Sequence, residues 1–276
     1  MLTFNALLHL YGFDPEYVRL VRHAENRTRS DGTSVQSKVI SAWRNDFPVF
    51  ELYSRLHGRA IYGDKKLGAI FVSMPDGRTI FAGIWKILGE GRNTKRLRCS
   101  ITENDSADLY LYEIEKLDAL AEFERRLSIE WGKATRAWFQ NAASQDKKIL
   151  AIADEPDPAF PGWASFVTSV QGIPGLPEMW RAILSNARGV YLLVHRKTGQ
   201  QYVGCAVGDG GFLTRWVQYA ETGHGGNVQL KGTPPEDLDV SVLEAVASSA
   251  DEMDVLRAEA DWKRKLGTRV HGLNSN

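Results

Sequence analysis

The chain has 276 residues, 43% of them hydrophobic, with two cysteines and a formal net charge of zero. That apolar share suffices for one large domain or two modest ones. No stretch approaches the roughly 18 apolar residues that span a bilayer, and no basic start leads into an apolar run, so a soluble, cytoplasmic protein without a membrane partner is expected. Cys99 and Cys205 are too few for a disulfide framework, and no Cys/His spacing resembles a zinc site.

Zero net charge hides an asymmetry. Residues 1–100 hold 16 Lys/Arg against 9 Asp/Glu, residues 101–180 hold 7 against 14, and residues 181–276 hold 11 against 11. A basic N-terminal third suits a polyanion, because each phosphate neutralised releases condensed counterions. A basic lobe packed on an acidic one accounts for the same numbers.

In chain order, "VRLVRHAENRTRS" (residues 18–30) reads as a flexible polar stretch in which Arg19, Arg22, Arg27 and Arg29 grip phosphates or guanine edges. A helix is predicted over residues 35–56. "LGAIFVSMPDGRTIFAGIWKIL" (67–88) is a hairpin around Pro75-Asp76-Gly77. "GEGRNTKRLR" (89–98) follows as a second basic loop, carrying Arg92, Lys95, Arg96 and Arg98. Further β runs at 107–114, 126–131 and 148–153 complete a mainly antiparallel β region with a little helix over residues 1–153. Its pattern is similar to the small barrel-like modules of the PUA type. In that case Trp85, Trp131 or Trp138 would wall a pocket for an extruded base; otherwise they are core.

Three prolines within "DEPDPAFPGW" (154–163) mark a domain junction. Residues 154–187 are expected as linker and connecting helix. Next comes "GVYLLVHRKTGQQYVG" (189–204), a hairpin turning at Lys197-Thr198-Gly199. A helix over 211–222, the loop "GHGGN" (223–227), a strand over 237–246 and a helix over 251–266 follow. The C-terminal module, 188–276, is thus β-β-α-β-α, and the whole chain is α+β.

The last helix breaks the usual rule. Spacing by i, i+3, i+4 and i+7 puts Val255, Leu256, Glu259, Trp262, Lys263 and Leu266 on one inward stripe. A half-buried Glu259 calls for a cation, either a metal ion or Arg215. An ordinary i, i+4 ion pair with Lys263 is the plainer account.

Taken together, Gly189-Val190-Tyr191, Tyr202-Val203-Gly204, Arg215, Glu259 and Asn274 resemble, in order and context, the GIY-YIG nuclease family, over about a third of the chain. The resemblance implies a three-stranded, mostly antiparallel sheet flanked by helices and a phosphodiester hydrolase using one Mg²⁺ or Mn²⁺ ion. It implies Glu259 as metal ligand, Arg215 on the phosphate, Tyr202 as acceptor of the water proton, Tyr191 orienting nucleophile or phosphate, and Asn274 positioning groups around the metal. Tyr219, one turn after Arg215, and His224 are further candidates for the proton. Lys263 touches either phosphate or Glu259, and His271 and Arg269 either line the cleft or pack.

The expected activity is a restriction-like or anti-phage endonuclease on double-stranded DNA, with residues 1–153 as recognition domain and dimerisation as one route to cutting both strands. The alternatives are a nucleic-acid-binding sensor or regulator on a nuclease scaffold that no longer cuts, and a structure-specific repair nuclease.

Overall fold

The structure, a computed structural model, describes residues 2–25, 27–30, 33–132, 137–247, 249 and 251–275. Its elements in chain order are α1 (Phe4–Leu10), β1 (Val18–His23), α2 (Val35–Asn45), α3 (Phe47–Arg55), β2 (Leu56–His57), β3 (Leu67–Ser73), β4 (Thr79–Arg92), β5 (Tyr110–Leu117), β6 (Leu127–Ile129), β7 (Phe139–Asn141), β8 (Ile149–Ile152), β9 (Val167–Ser169), α4 (Glu178–Ser185), β10 (Ala187–His195), β11 (Gln201–Ala206), α5 (Gly211–Thr222), β12 (Leu238–Ala247), α6 (Glu252–Leu266) and α7 (Thr268–His271). The protein is α+β and divides into two compact units. One holds Met1–Asn26 with Asp46–Pro158, the other Arg27–Asn45 with Ala159–Asn276. Among the described residues no helix is long and apolar enough to cross a membrane.

The first unit is built on an eight-stranded sheet in the order β2-β5-β4-β3-β1-β7, with β6 branching from β4 and β8 pairing β6. The β3–β4 hairpin turns where expected: Asp76 Oδ1 accepts the Arg78 N–H at 3.0 Å, and Gly77 takes the left-handed φ of +87°. Pairing is antiparallel except between β1 and β3. Residues 18–23 correct the expectation of a flexible basic stretch. They form an inner strand with Val18, Leu20, Val21 and His23 buried, because four apolar or neutral residues per six outweigh two arginines whose long stems lie along the sheet. The helix expected over 35–56 is also corrected. It breaks at Asp46, whose Oδ1 caps the Val49 N–H at 3.3 Å, with Pro48 in the first turn of α3.

The second unit carries a four-stranded antiparallel sheet in the order β11-β10-β12-β9. The fourth strand and α4 come from the stretch expected as linker, and Phe166, Val170, Ile173 and Leu184 from that stretch are core residues here. α5 covers one face of the sheet through Phe212, Trp216 and Tyr219. α6 covers the other through Val255, Ala258 and Trp262. Alternation along the strands divides their side chains: Tyr191 and Leu193 face α5, Val190 and Leu192 face α6. α2, although early in the chain, belongs to this unit. Its Ser41 Oγ donates to Pro174 O at 2.9 Å and its Arg44 Nη1 to Gly175 O at 2.5 Å.

Candidate active site

The hairpin and α5 bring three tyrosines and one arginine together. Tyr191 lies opposite Gly204 in the β10–β11 register. A Cβ on Gly204 would stand 2.5 Å from the Tyr191 hydroxyl. The glycine of the second tripeptide is therefore what lets Tyr191 lie across the neighbouring strand and reach α5. Its hydroxyl bonds the Tyr219 hydroxyl at 3.0 Å. Tyr202 meets Tyr219 edge-on, with ring centroids 6.4 Å apart. Arg215 completes the cluster, donating from Nε to Tyr191 at 3.2 Å and from Nη2 to Tyr219 at 3.3 Å.

Burial pushes the phenols of Tyr191, Tyr202 and Tyr219 well above the ordinary tyrosine value, and Arg215 pulls each part of the way back. Burial alone would lower Arg215, but the phenols of Tyr191 and Tyr219 outweigh it and the guanidinium is raised. The site at neutral pH is thus one fixed cation among neutral phenols.

Glu259 and Lys263 lie on the α6 face of the same edge strand. Lys263 Nζ is 3.4 Å from Glu259 Oε2, and their side chains are only 6% and 14% exposed, so the inward stripe exists and the two are paired within it. Burial first, then the Glu259 charge, raises the Cys205 thiol to about 11, which keeps it protonated. Because β11 is an edge strand, the two faces communicate around it: the Glu259 charge acts on Tyr202, and the Arg215 charge on Cys205.

Among the described residues no three His, Cys, Asp or Glu side chains converge as a metal cluster. A donor set of one carboxylate fits a cation that keeps most of its waters and takes phosphate oxygens as ligands, as Mg²⁺ does; it does not fit a tetrahedral zinc site.

Asn274 is buried. Its Oδ1 accepts the Val203 N–H at 2.9 Å and its Nδ2 donates to Val203 O at 2.8 Å, so it pins the C-terminal segment along the strand beside Tyr202. His224 Nδ1 accepts the Gly226 N–H at 2.9 Å. A neutral imidazole in that arrangement carries its proton on Nε2 and can donate there but not accept. Arg269 lines an open groove of about 450 Å³ with Lys263 and Arg264, whereas His271 is exposed.

The basic residues of the N-terminal part are divided between the two units. Arg19 lies over the Phe139 ring at 5.3 Å and bonds Asn141 and the Tyr62 carbonyl, and Arg22 lies 5.0 Å over Trp131. Arg27 and Arg29 belong to the second unit. Arg92 covers Tyr110 at 3.7 Å and donates to Asp108 O at 2.6 Å. Lys95, Arg96 and Arg98 are exposed. Their loop is pinned by buried Asn93, which accepts the Leu97 N–H at 2.9 Å and donates to Leu97 O at 3.0 Å. Trp85 and Trp131 are core residues, while half-buried Trp138 stacks on His57 with centroids 5.5 Å apart.

Two site residues escaped the sequence reading. Gln218 accepts from Arg215 Nη1 at 3.2 Å, and Gly225 O accepts from the same nitrogen at 3.0 Å. The i, i+3 spacing from Arg215 and the dense glycines of "GHGGN" are the signals that carry them.

No family profile matches the chain, and no curated protein does. Among solved structures, residues amounting to 32% of this chain are similar to the catalytic domain of the homing endonuclease I-TevI, over 98% of that chain, at 21% identity and a TM-score of 0.27.

Proposed function

We propose that the protein is a divalent-metal-dependent endonuclease of the GIY-YIG type that hydrolyses DNA phosphodiester bonds in a restriction-like or anti-phage setting. The observation that carries this reading is the cluster of Arg215, Tyr191, Tyr219 and Tyr202 beside edge strand β11, with the Glu259 carboxylate on the α6 side of the same strand acting electrostatically on Tyr202. A cation held in place by its neighbours is what a transition state with spread phosphoryl charge requires.

In this reading Arg215 binds a non-bridging phosphate oxygen, and Tyr191 and Tyr219 hold its guanidinium in plane. Tyr202 positions the attacking water; burial holds its phenol protonated, and it would take the water's proton only as the phenolate, the form that the Arg215 charge and a bound cation favour. Glu259 is the metal ligand, and a bound Mg²⁺ or Mn²⁺ ion would supply Lewis acidity to the phosphate and the leaving oxygen. Lys263 orients Glu259. Asn274 holds β11, and hence Tyr202, through the Val203 backbone. The exposed Lys95, Arg96 and Arg98 are the part of the first unit fitted to contact double-stranded DNA.

Plasmid cleavage with Mg²⁺, Mn²⁺ or EDTA tests the reading. Metal-dependent nicking that disappears in Glu259→Ala while DNA binding persists is expected. Absence of cleavage on plain and modified DNA, beside salt-sensitive binding, would overturn it. That second reading, a binding protein on a nuclease-like scaffold, is favoured by one feature, the ion pair that already occupies Glu259.

A further inference from the structure

Arg215 is held by a loop as well as by phenols. Gly225, in the loop after α5, has φ +51° and presents its carbonyl to Arg215 Nη1 at 3.0 Å. A Cβ at this position would fall 2.7–2.9 Å from three atoms of the Tyr219 ring. Gly226, the next residue, has φ +89°, yet a Cβ there would meet nothing within 4 Å. The loop is fixed from several sides: Thr222 Oγ1 accepts the Gly225 N–H at 2.8 Å, His224 Nδ1 accepts the Gly226 N–H at 2.9 Å, and Asn227 Oδ1 accepts the Gln229 N–H at 2.9 Å. The backbone is thus built to press one peptide onto the Tyr219 ring and to aim its carbonyl at the guanidinium.

Counting donors gives this contact its meaning. Of the five N–H groups of an arginine, four have partners here: Tyr191, Gln218, Gly225 and Tyr219. One N–H on Nη2 is left for a ligand among the described residues. Gln218 is exposed and Gly225 is not a side chain that can rotate away, so the Gly225 carbonyl is the firmer of the two anchors on Nη1. A long arginine side chain otherwise loses conformational entropy when it binds an anion, and prior fixation removes that cost from the reacting complex.

We propose that Gly225 is a positioning residue: its carbonyl, carried in by a passage over Tyr219 that only glycine permits, fixes the guanidinium plane of Arg215 and thereby selects the N–H that meets a substrate phosphate oxygen. The phosphate in this statement rests on the nuclease reading; the fixation of Arg215 does not.

The test compares Gly225→Ala, Gly225→Asn and Gly226→Ala in the full chain. Asn tolerates left-handed backbone but still carries a Cβ, whereas Gly226→Ala imposes left-handed strain without the clash. Guanidinium N–H signals of Arg215 are followed by NMR without metal or DNA, assigned by their loss in Arg215→Lys. They are expected to exchange slowly with solvent in the wild type and in Gly226→Ala, and to broaden in both Gly225 variants. On plasmid DNA with Mg²⁺, kcat is expected to fall about tenfold to hundredfold in the Gly225 variants with KM and DNA Kd unchanged, and to stay near wild type in Gly226→Ala.

Equal effects at both glycines, or an Arg215 signal indifferent to Gly225, would sink the proposal. A wild type that cuts nothing but shows the NMR contrast loses the nuclease reading and keeps the fixation. A wild type that cuts, with Gly225→Ala silent in both measurements, does the reverse. Should Gly225→Ala not fold, Thr222→Val, which removes the acceptor of the Gly225 N–H, is expected to broaden the same signals, and unchanged signals there count against the carbonyl.

Discussion

Both units set arginines on aromatic rings, with opposite results. In the first unit Arg19 lies over Phe139, Arg22 over Trp131, and Arg59 over Trp138 and Phe139. Those rings offer only their faces to the guanidinium, so the contacts are packing with a cation–π component of about 0.5–1 kcal/mol each at partly exposed positions. In the second unit Arg215 lies 5.1 Å over Tyr219 and also bonds two phenol hydroxyls. The hydroxyls fix direction as well as distance. An arginine–aromatic pair therefore marks a candidate site only where polar tips converge on the same guanidinium.

Replacing one arginine from each unit is the hardest test of that contrast. Arg215→Ala should lower kcat by about a thousandfold, roughly 4 kcal/mol, with the fold kept. Arg22→Ala should leave kcat alone and lower the melting temperature; equal kinetic losses in plasmid cleavage would erase the distinction.

Acid should separate the units next. His23 and His57 are buried in the first unit, and burial holds them down at about 3 and about 4 respectively. Unfolded histidines take up protons below about 6.5 while these stay neutral, so stability is full above that pH and is lost as the pH falls toward 4. At pH 5 the loss should be about 2 kcal/mol for each histidine, read by denaturant melts of the wild type against His57→Gln. A pH-independent midpoint between 7 and 5 would contradict their burial.

Asn274→Ala should cost about 1–2 kcal/mol, because it leaves the buried Val203 N–H and carbonyl without partners, and should lower kcat through Tyr202. Thermal melts with cleavage rates check both. The smallest effect is expected for Lys95, Arg96 and Arg98 changed together to alanine. DNA affinity should fall about tenfold, and the slope of log K against log salt should drop by about 2–3. An unchanged slope would place the DNA interface elsewhere.

The C-terminal module was the most legible part. The hairpin, the helix of 211–222 and the last helix lie where periodicity put them, and Glu259 and Lys263 do turn inward. Less was legible before residue 154. β1 passed for a loop because two arginines and a histidine mask an inner strand whose burial depends on β3 and β7, distant in the chain. Nothing local in "VQSKVISAWRN" signals that α2 packs with a unit whose remainder begins more than a hundred residues later. His224 is a candidate proton acceptor by residue type alone; that its Nδ1 meets the Gly226 N–H depends on the fold of the loop.

By itself the sequence determined the residue types of the site, their order, and the α+β character, because strand and helix periods and turn residues act over a few positions. Tertiary structure alone decided that Tyr191 crosses Gly204 to meet Tyr219, that Glu259 pairs with Lys263 inside the packed face of α6, and that Gly225 anchors Arg215. Each of those depends on a close approach of a few ångströms between segments far apart in the chain, and such approaches are set by packing, which no local pattern encodes.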